Sequence, residues 1–336
     1  LAHANDMSNV RLSLTHAENQ GLSIGSEHIK NIANMNSSFK IGKKYTVDVV
    51  LNYINQTVKN RPYSIDRLMN NFTGMMGRFD NGDWYVNKYK TSKGYRFVTG
   101  AGTQSLTPDE NIIYNGMRGD IADFMWRVNE EKSIETSNRL IGTLTNTWQI
   151  VDALKLRGRI ATDFTERNTE NSSTSQVPLA FGYSGGFGLE SYRDVTLYGD
   201  VMLMFTKKVT EDIEIGAMAG YTAHKQTSTW LSRGTSGGLS TENLFDLSAS
   251  VNTPWSDSRR TSLVKDAVIG TVNANYKDFL YIEGTLRNDR TSTMFPENNS
   301  FFYPSVNSSF IFSDAFELPS VISFGKLRAA WGIVGH

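Results

Sequence analysis

The sequence has no cysteine, only seven prolines and no excess of either charge: 34 Lys and Arg balance 34 Asp and Glu over 336 residues. Without cysteine there can be no disulfide framework and no thiolate-held metal. Charge balance removes the basic footprint that nucleic acid requires, and there is no acidic tail. No run approaches the roughly 20 apolar residues that carry a helix across a bilayer. A membrane reading then survives only as a β-barrel, whose strands each carry a weak signal and whose overall hydropathy resembles that of a soluble protein. The chain opens Leu1-Ala2-His3-Ala4-Asn5, unlike an initiator region, and stops at Val334-Gly335-His336 inside what reads as a strand. Both ends predict an internal piece of a longer protein.

What is present is alternation at period two. From Val264 to Arg290, Val268, Gly270, Val272, Ala274 and Tyr276 alternate with Ile269, Thr271, Asn273 and Asn275; Lys277 and Asp278 make a turn; Leu280, Ile282, Gly284 and Leu286 then alternate with Tyr281, Glu283, Thr285 and Arg287. Successive strand residues point to opposite faces, so this hairpin has one oily side and one wet side. A soluble sandwich shows the same pattern, and the inference rests on its recurrence. Strands are predicted at Ser8 to Asn19, His28 to Ile41, from Tyr45, Ile134 to Ile150, Leu154 to Arg167, Val195 to Phe205, Ile213 to about Thr227, the two arms of the hairpin, Tyr303 to Phe312, and Ser323 to Val334.

Their connections alternate between short turns and long loops, the latter at about 59–132, 168–191, 228–261 and 291–302. Short turns at one end and long loops at the other are the wiring of an outer-membrane barrel. Closure also leaves no unpaired strand edge in lipid. Residues 1–336 are therefore expected to form one all-β unit, a partial transmembrane antiparallel β-barrel with extracellular long loops. Within the first long loop, Ile65, Leu68, Met69 and Phe72 fall at helical spacing after Pro62-Tyr63-Ser64, predicting a short helix over residues 65–76. A propeller is disfavoured, since no repeat of about 40 residues is present.

Three stretches resemble the SusC/RagA family (SusC-like) of TonB-dependent outer-membrane transporters of the Bacteroidetes. They are Asn275-Tyr276-Lys277-Asp278-Phe279-Leu280 with Gly284-Thr285-Leu286-Arg287-Asn288-Asp289; Phe295-Pro296 followed by Phe302-Tyr303-Pro304-Ser305-Val306; and Lys326-Leu327-Arg328-Ala329-Ala330-Trp331-Gly332-Ile333-Val334-Gly335. Trp126-Arg127-Val128-Asn129 ahead of Asn138-Arg139-Leu140-Ile141-Gly142 is a weaker echo. The resemblance implies about half of a 22-stranded barrel, with the plug and the distal strands outside this sequence. It implies TonB-dependent import of a large nutrient, an oligosaccharide or oligopeptide, across a Gram-negative outer membrane. The implied partners are a SusD-like surface lipoprotein as lid, TonB acting through a segment outside this sequence, outer-membrane lipid, and a second transporter–lipoprotein pair forming a dimer. A passive porin and a soluble β-rich binding or adhesion protein are the alternatives.

No catalytic residue, cofactor or metal is expected. Gly182-Tyr183-Ser184-Gly185-Gly186 and Gly234-Thr235-Ser236-Gly237-Gly238 match a nucleophile elbow in spelling, but both are expected in Gly/Ser-rich loops without the strand–turn–helix that an elbow needs. Asp80-Asn81-Gly82-Asp83 begins like a calcium loop, yet its twelfth position is Thr91 where a bidentate Glu belongs. The five histidines, His3, His16, His28, His224 and His336, show no ligand spacing. The candidate substrate contacts are the first-loop aromatics Trp84, Tyr85, Tyr89 and Tyr95, with Phe97 beside them. Flat rings stack on sugars, while neighbouring amides and charges bond hydroxyl or peptide groups. The competing reading is that these rings pack the loop onto its neighbours. In a barrel Arg157, Arg159, Asp200, Glu283 and Arg287 would line the lumen, and Tyr45, Trp148, Tyr276, Phe279 and Trp331 suit an interfacial girdle.

Overall fold

A computed structural model describes residues 2–61, 83, 86–87, 89–96, 119–319 and 321–335. Twelve strands form a single sheet in strict chain order. They are β1 (Ala2–Ala4), β2 (Ser8–Gln20), β3 (Glu27–Ile41), β4 (Tyr45–Lys59), β5 (Glu131–Val151), β6 (Leu154–Ser173), β7 (Gly186–Lys208), β8 (Ile213–Leu239), β9 (Ser250–Tyr276), β10 (Leu280–Thr291), β11 (Ser300–Ile311) and β12 (Lys326–Gly332). Every neighbouring pair is antiparallel.

Cross-strand register carries the alternation from one strand to the next. Leu144 faces Ile160, Leu156 faces Leu203, Leu203 faces Ala219, Ala217 faces Val272, Val272 faces Gly284, and Val306 faces Trp331. These residues make one continuous apolar face, and their side chains are open: Ile160 is 67% exposed, Val272 60% and Trp331 62%. Among the described residues only Trp126, Met202, Leu239, Ala249 and Ala267 form a buried apolar core. A water-soluble sandwich buries such a face against a second sheet and rarely leaves an apolar patch beyond a few hundred Å² open. Among the described residues this sheet has no second layer, and an apolar surrounding is what matches its surface.

The opposite face is polar, and much of it is paired with itself. Arg139 bonds Asp163 through Nε at 2.9 Å and Nη2 at 2.6 Å. Asp194 accepts from Gln226 and Ser228, and Asn307 donates to Glu283 at 3.0 Å.

Eleven predicted strands correspond to β2 through β12; β1, three residues long, carries no periodicity to detect. Two expected loops are shorter than the sequence suggested. β6 continues to Ser173 and β7 begins at Gly186, leaving residues 174–185; β8 continues to Leu239 and β9 begins at Ser250, leaving 240–249. These extensions are rich in Ser, Thr, Gly and Arg. They carry apolar residues such as Leu189, Trp230 and Trp255 only sporadically, and cross-strand backbone pairing continues the strands through them. The first long excursion contains α1 (Gly119–Glu130), in which Ile121, Phe124, Met125 and Val128 recur at helical spacing. The helix predicted over 65–76 lies outside the described residues. A short α2 (Phe312–Ala315) lies between β11 and β12.

The hairpin turn is of the primed kind: Lys277 and Asp278 have φ of 49° and 57°, matching the right-handed twist of β9 and β10. Near it the aromatics cluster. Tyr276 meets Phe279 edge-on at 5.4 Å, Phe279 meets Phe310 at 5.9 Å and Phe310 meets Phe316 at 5.9 Å. Tyr45 and Trp148 are cross-strand partners at the same end of the sheet. Trp331 is set apart, opposite Val306 and well up β12 from the turn.

Candidate functional site

The long connections gather at one end of the sheet and interlock. Glu130, at the end of α1, accepts from Lys90 Nζ at 2.7 Å and from the Tyr89 hydroxyl at 3.3 Å, while its carbonyl accepts from Thr174 Oγ1 at 2.9 Å. Glu242 accepts from the Tyr95 hydroxyl at 2.8 Å and from the Leu179 amide at 2.9 Å. The Arg96 amide donates to the Gln176 carbonyl at 2.9 Å. Ser175 and Asn243 exchange two bonds, Ser175 N to Asn243 Oδ1 at 2.8 Å and Asn243 N to Ser175 Oγ at 3.3 Å. Two carboxylates, Glu130 and Glu242, thus tie the segment at 89–96 to α1 and to both later loops.

Of the sequence-predicted contacts, Trp84 and Tyr85 lie outside the described residues, as does Phe97. Tyr89 and Tyr95 are half-buried within the interlock. The Tyr89 ring meets fully buried Trp126 edge-on at 6.5 Å. Burial, together with the Glu130 carboxylate beside it, holds the Tyr89 hydroxyl above its ordinary pKa. Donation to Glu242, reinforced by burial, raises Tyr95. Both hydroxyls donate to carboxylates of this chain.

Sequence reasoning did not single out the cavity beside the interlock, of about 400 Å³, lined by Ser23, Ile24, Asn60, Arg61, Phe124 and Lys132 among others. It lies where the β2–β3 loop, the end of α1 and the tops of β5 and β6 meet. The helical spacing of Phe124 was the one available signal. Asn60 shapes its wall, donating from its amide to the Ser133 carbonyl at 2.7 Å while its side chain accepts from the Ser133 amide at 3.0 Å.

On the polar face, Asp200 takes Arg159 Nε at 2.7 Å and Arg157 Nη2 at 3.2 Å, and Arg287 takes Asp289 at 2.6 Å. Most of the predicted wall charges therefore pair with one another. Neither elbow-like serine is poised as a nucleophile. Ser184 Oγ accepts from the amides of Gln176 and Val177 at 2.9 and 3.2 Å, and Ser236 sits at a register shift within β8. His16 bonds Asn31 at 2.7 Å, and no cluster of metal ligands exists among the described residues.

Neither a protein-family model nor a curated protein sequence matches the chain. Solved structures do. Three RagAB structures superpose over 98% of this chain: the RagAB peptide transporter (TM-score 0.74, 14% identity), the RagAB peptide importer in its closed-closed state (0.75, 15%) and in its open-open state (0.76, 14%). The chain spans 35–36% of the length of those chains. At such identity the likeness is one of fold, and the fold is part of an antiparallel β-barrel.

Proposed function

We propose that the chain is part of the barrel of a SusC-like, TonB-dependent transporter in a Gram-negative outer membrane. The observation that carries this reading is the pairing of a continuous exposed apolar face with a self-paired polar face on one meandering sheet. The likeness to the RagAB importer and the three sequence motifs support it independently. The cargo is an oligopeptide or oligosaccharide, with the peptide favoured by the likeness to a peptide importer. A SusD-like lipoprotein closes over the interlocked loops, and transporter–lipoprotein pairs form a dimer. Cargo enters between lid and loops and leaves inward when TonB, acting through a segment outside this sequence, displaces the plug. Trp84, Tyr85, Tyr89 and Tyr95 are proposed at the cargo side of the first loop, with Tyr89 and Tyr95 acting from within the interlock.

The test is a detergent pull-down of the whole protein from outer membranes, with mass spectrometry of co-purifying species. A stoichiometric SusD-like lipoprotein with bound peptides is the expected result. A heat-modifiable barrel recovered alone, without an upstream plug, would indicate a passive porin. Recovery in the soluble fraction overturns the membrane reading.

A further inference from the structure

On the apolar face, the upper boundary of the oily surface carries a set of cations with no carboxylate partners. Arg193 on β7, Thr229 on β8 and Arg260 on β9 form one cross-strand row. Adjacent strands are about 4.8 Å apart, which places the two arginine Cα atoms about 10 Å from each other. Four residues down β8, Lys225 stands between Leu197 and Val264, which are 50% and 41% exposed. Arg193, Lys225 and Arg260 are all exposed. The Arg193 guanidinium lies 5.3 Å from the centre of the Phe164 ring.

The acids nearby leave these cations available. Glu166 faces Arg193 in register but lies beyond ion-pair distance. Asp266, diagonal to Lys225, is occupied by Arg290 and the Tyr221 hydroxyl. Two rows above Arg193, outward Glu170 is offset by outward Arg233. By contrast, the polar-face arginines Arg139, Arg157 and Arg159 all meet aspartates.

Between the cations the wall is hollow. A depression of about 270 Å³ is lined by Arg193, Val195, Leu197, Lys225, Thr227 and Thr229. Its top row pairs Arg193 with the Thr229 hydroxyl, its middle row Val195 with Thr227, and its bottom row Leu197 with Lys225, below which the exposed surface of Val201 and Leu203 continues. A ligand that fits has an oily tail, a headgroup at the boundary, and negative charge able to take bidentate guanidinium bonds.

Resting on the membrane reading above, we infer that this part of the outer wall holds a phosphorylated lipid of the surrounding leaflet. Its phosphate lies between Arg193, Lys225 and Arg260, and an acyl chain lies along Val195 and Leu197. The lysine and arginine stems lie on the apolar surface while their heads reach the phosphate. Each interfacial cation contributes about a factor of five toward an anionic lipid, so losing three weakens binding on the order of 100-fold.

The test uses the whole protein in a neutral detergent, monitored by native mass spectrometry. It is titrated with a phosphorylated glycolipid, with the same lipid after dephosphorylation, and with inorganic phosphate as competitor. The wild type retains one phosphorylated lipid, and R193Q/K225Q/R260Q binds it about 100-fold more weakly; the charge-preserving R193K/K225R/R260K restores most of the affinity. Equal retention by wild type and the glutamine variant, or equal affinity for the dephosphorylated lipid, overturns the inference. Displacement by millimolar inorganic phosphate would make this a free-anion site and overturn the lipid assignment. A protein that stays soluble without detergent fails earlier, at the membrane reading, before any lipid is added.

Discussion

Arg159 donates from Nε to Asp200 at 2.7 Å across the β6–β7 register, and the Asp200 side chain is fully buried by this contact and by Arg157. One carboxylate pairs with two guanidinium groups that are each about a third exposed. Removing the carboxylate leaves two cations on one wall with no counter-charge, and Arg159 keeps only its contact with Tyr198. Asp200→Asn is therefore expected to destabilise the sheet by about 2 kcal/mol, less than for a fully buried pair because water still reaches both arginines. Thermal unfolding of the detergent-solubilised protein, read as loss of heat-modifiable mobility, measures it. An unchanged transition would mean the pair is neutral in energy.

The loop interlock titrates at high pH. The hydroxyls of Tyr89 and Tyr95 have pKa values raised in the folded state, so their contribution is fully present below the unfolded tyrosine value of about 10 and is lost as pH rises through the folded value. A spectrophotometric tyrosinate titration is expected to show a late-ionising fraction that shrinks in Tyr95→Phe. Limited proteolysis of that variant should cut more readily within 89–96 and 174–185, because Glu242 then holds only the Leu179 amide.

The hairpin that organises the sequence can be improved. Lys277 and Asp278 both occupy left-handed backbone, which costs an L-residue roughly 1–2 kcal/mol and which Asn and Gly adopt more readily. Lys277 also lies 3.6 Å from Asp212, but both side chains are half-exposed and such a pair contributes little. The double variant Lys277→Asn/Asp278→Gly is expected to gain about 1 kcal/mol in unfolding free energy. A loss would show that the Asp212 contact, or the Asn275 bond to Asp278 at 2.6 Å, outweighs the backbone strain.

The legible parts of this chain were those in which two solvents act on one strand. Leu197 to Leu203 and Val264 to Tyr276 alternate because one face of the sheet is apolar and the other polar, and the sequence records that contrast. Residues 228–239 and 250–261 are just as much strand, but serine, threonine and glycine interrupt their apolar positions, so no period-two alternation shows there. The interlock was legible only in part. Tyr89 and Tyr95 were identifiable as loop aromatics, yet their partners Glu130 and Glu242 are distant in sequence, and no local pattern announces such pairs. The cations Arg193 and Arg260 were hidden for the same reason, brought into one row by register alone.

The two faces can be told apart by a single residue step. Val272 lies on the apolar face, 60% exposed and opposite Ala217 and Gly284, whereas its neighbour Thr271 points to the polar side. If the apolar face meets lipid, Val272→Arg places a guanidinium in hydrocarbon and is expected to cost roughly 2–4 kcal/mol, slowing assembly into vesicles. Thr271→Arg, one residue away, faces the wet side and should assemble at close to the wild-type rate. In a soluble protein the order would reverse or vanish, because an arginine at an exposed site is nearly neutral. Assembly kinetics into lipid vesicles, followed by heat-modifiable mobility for the two variants side by side, therefore decide which solvent the exposed face meets.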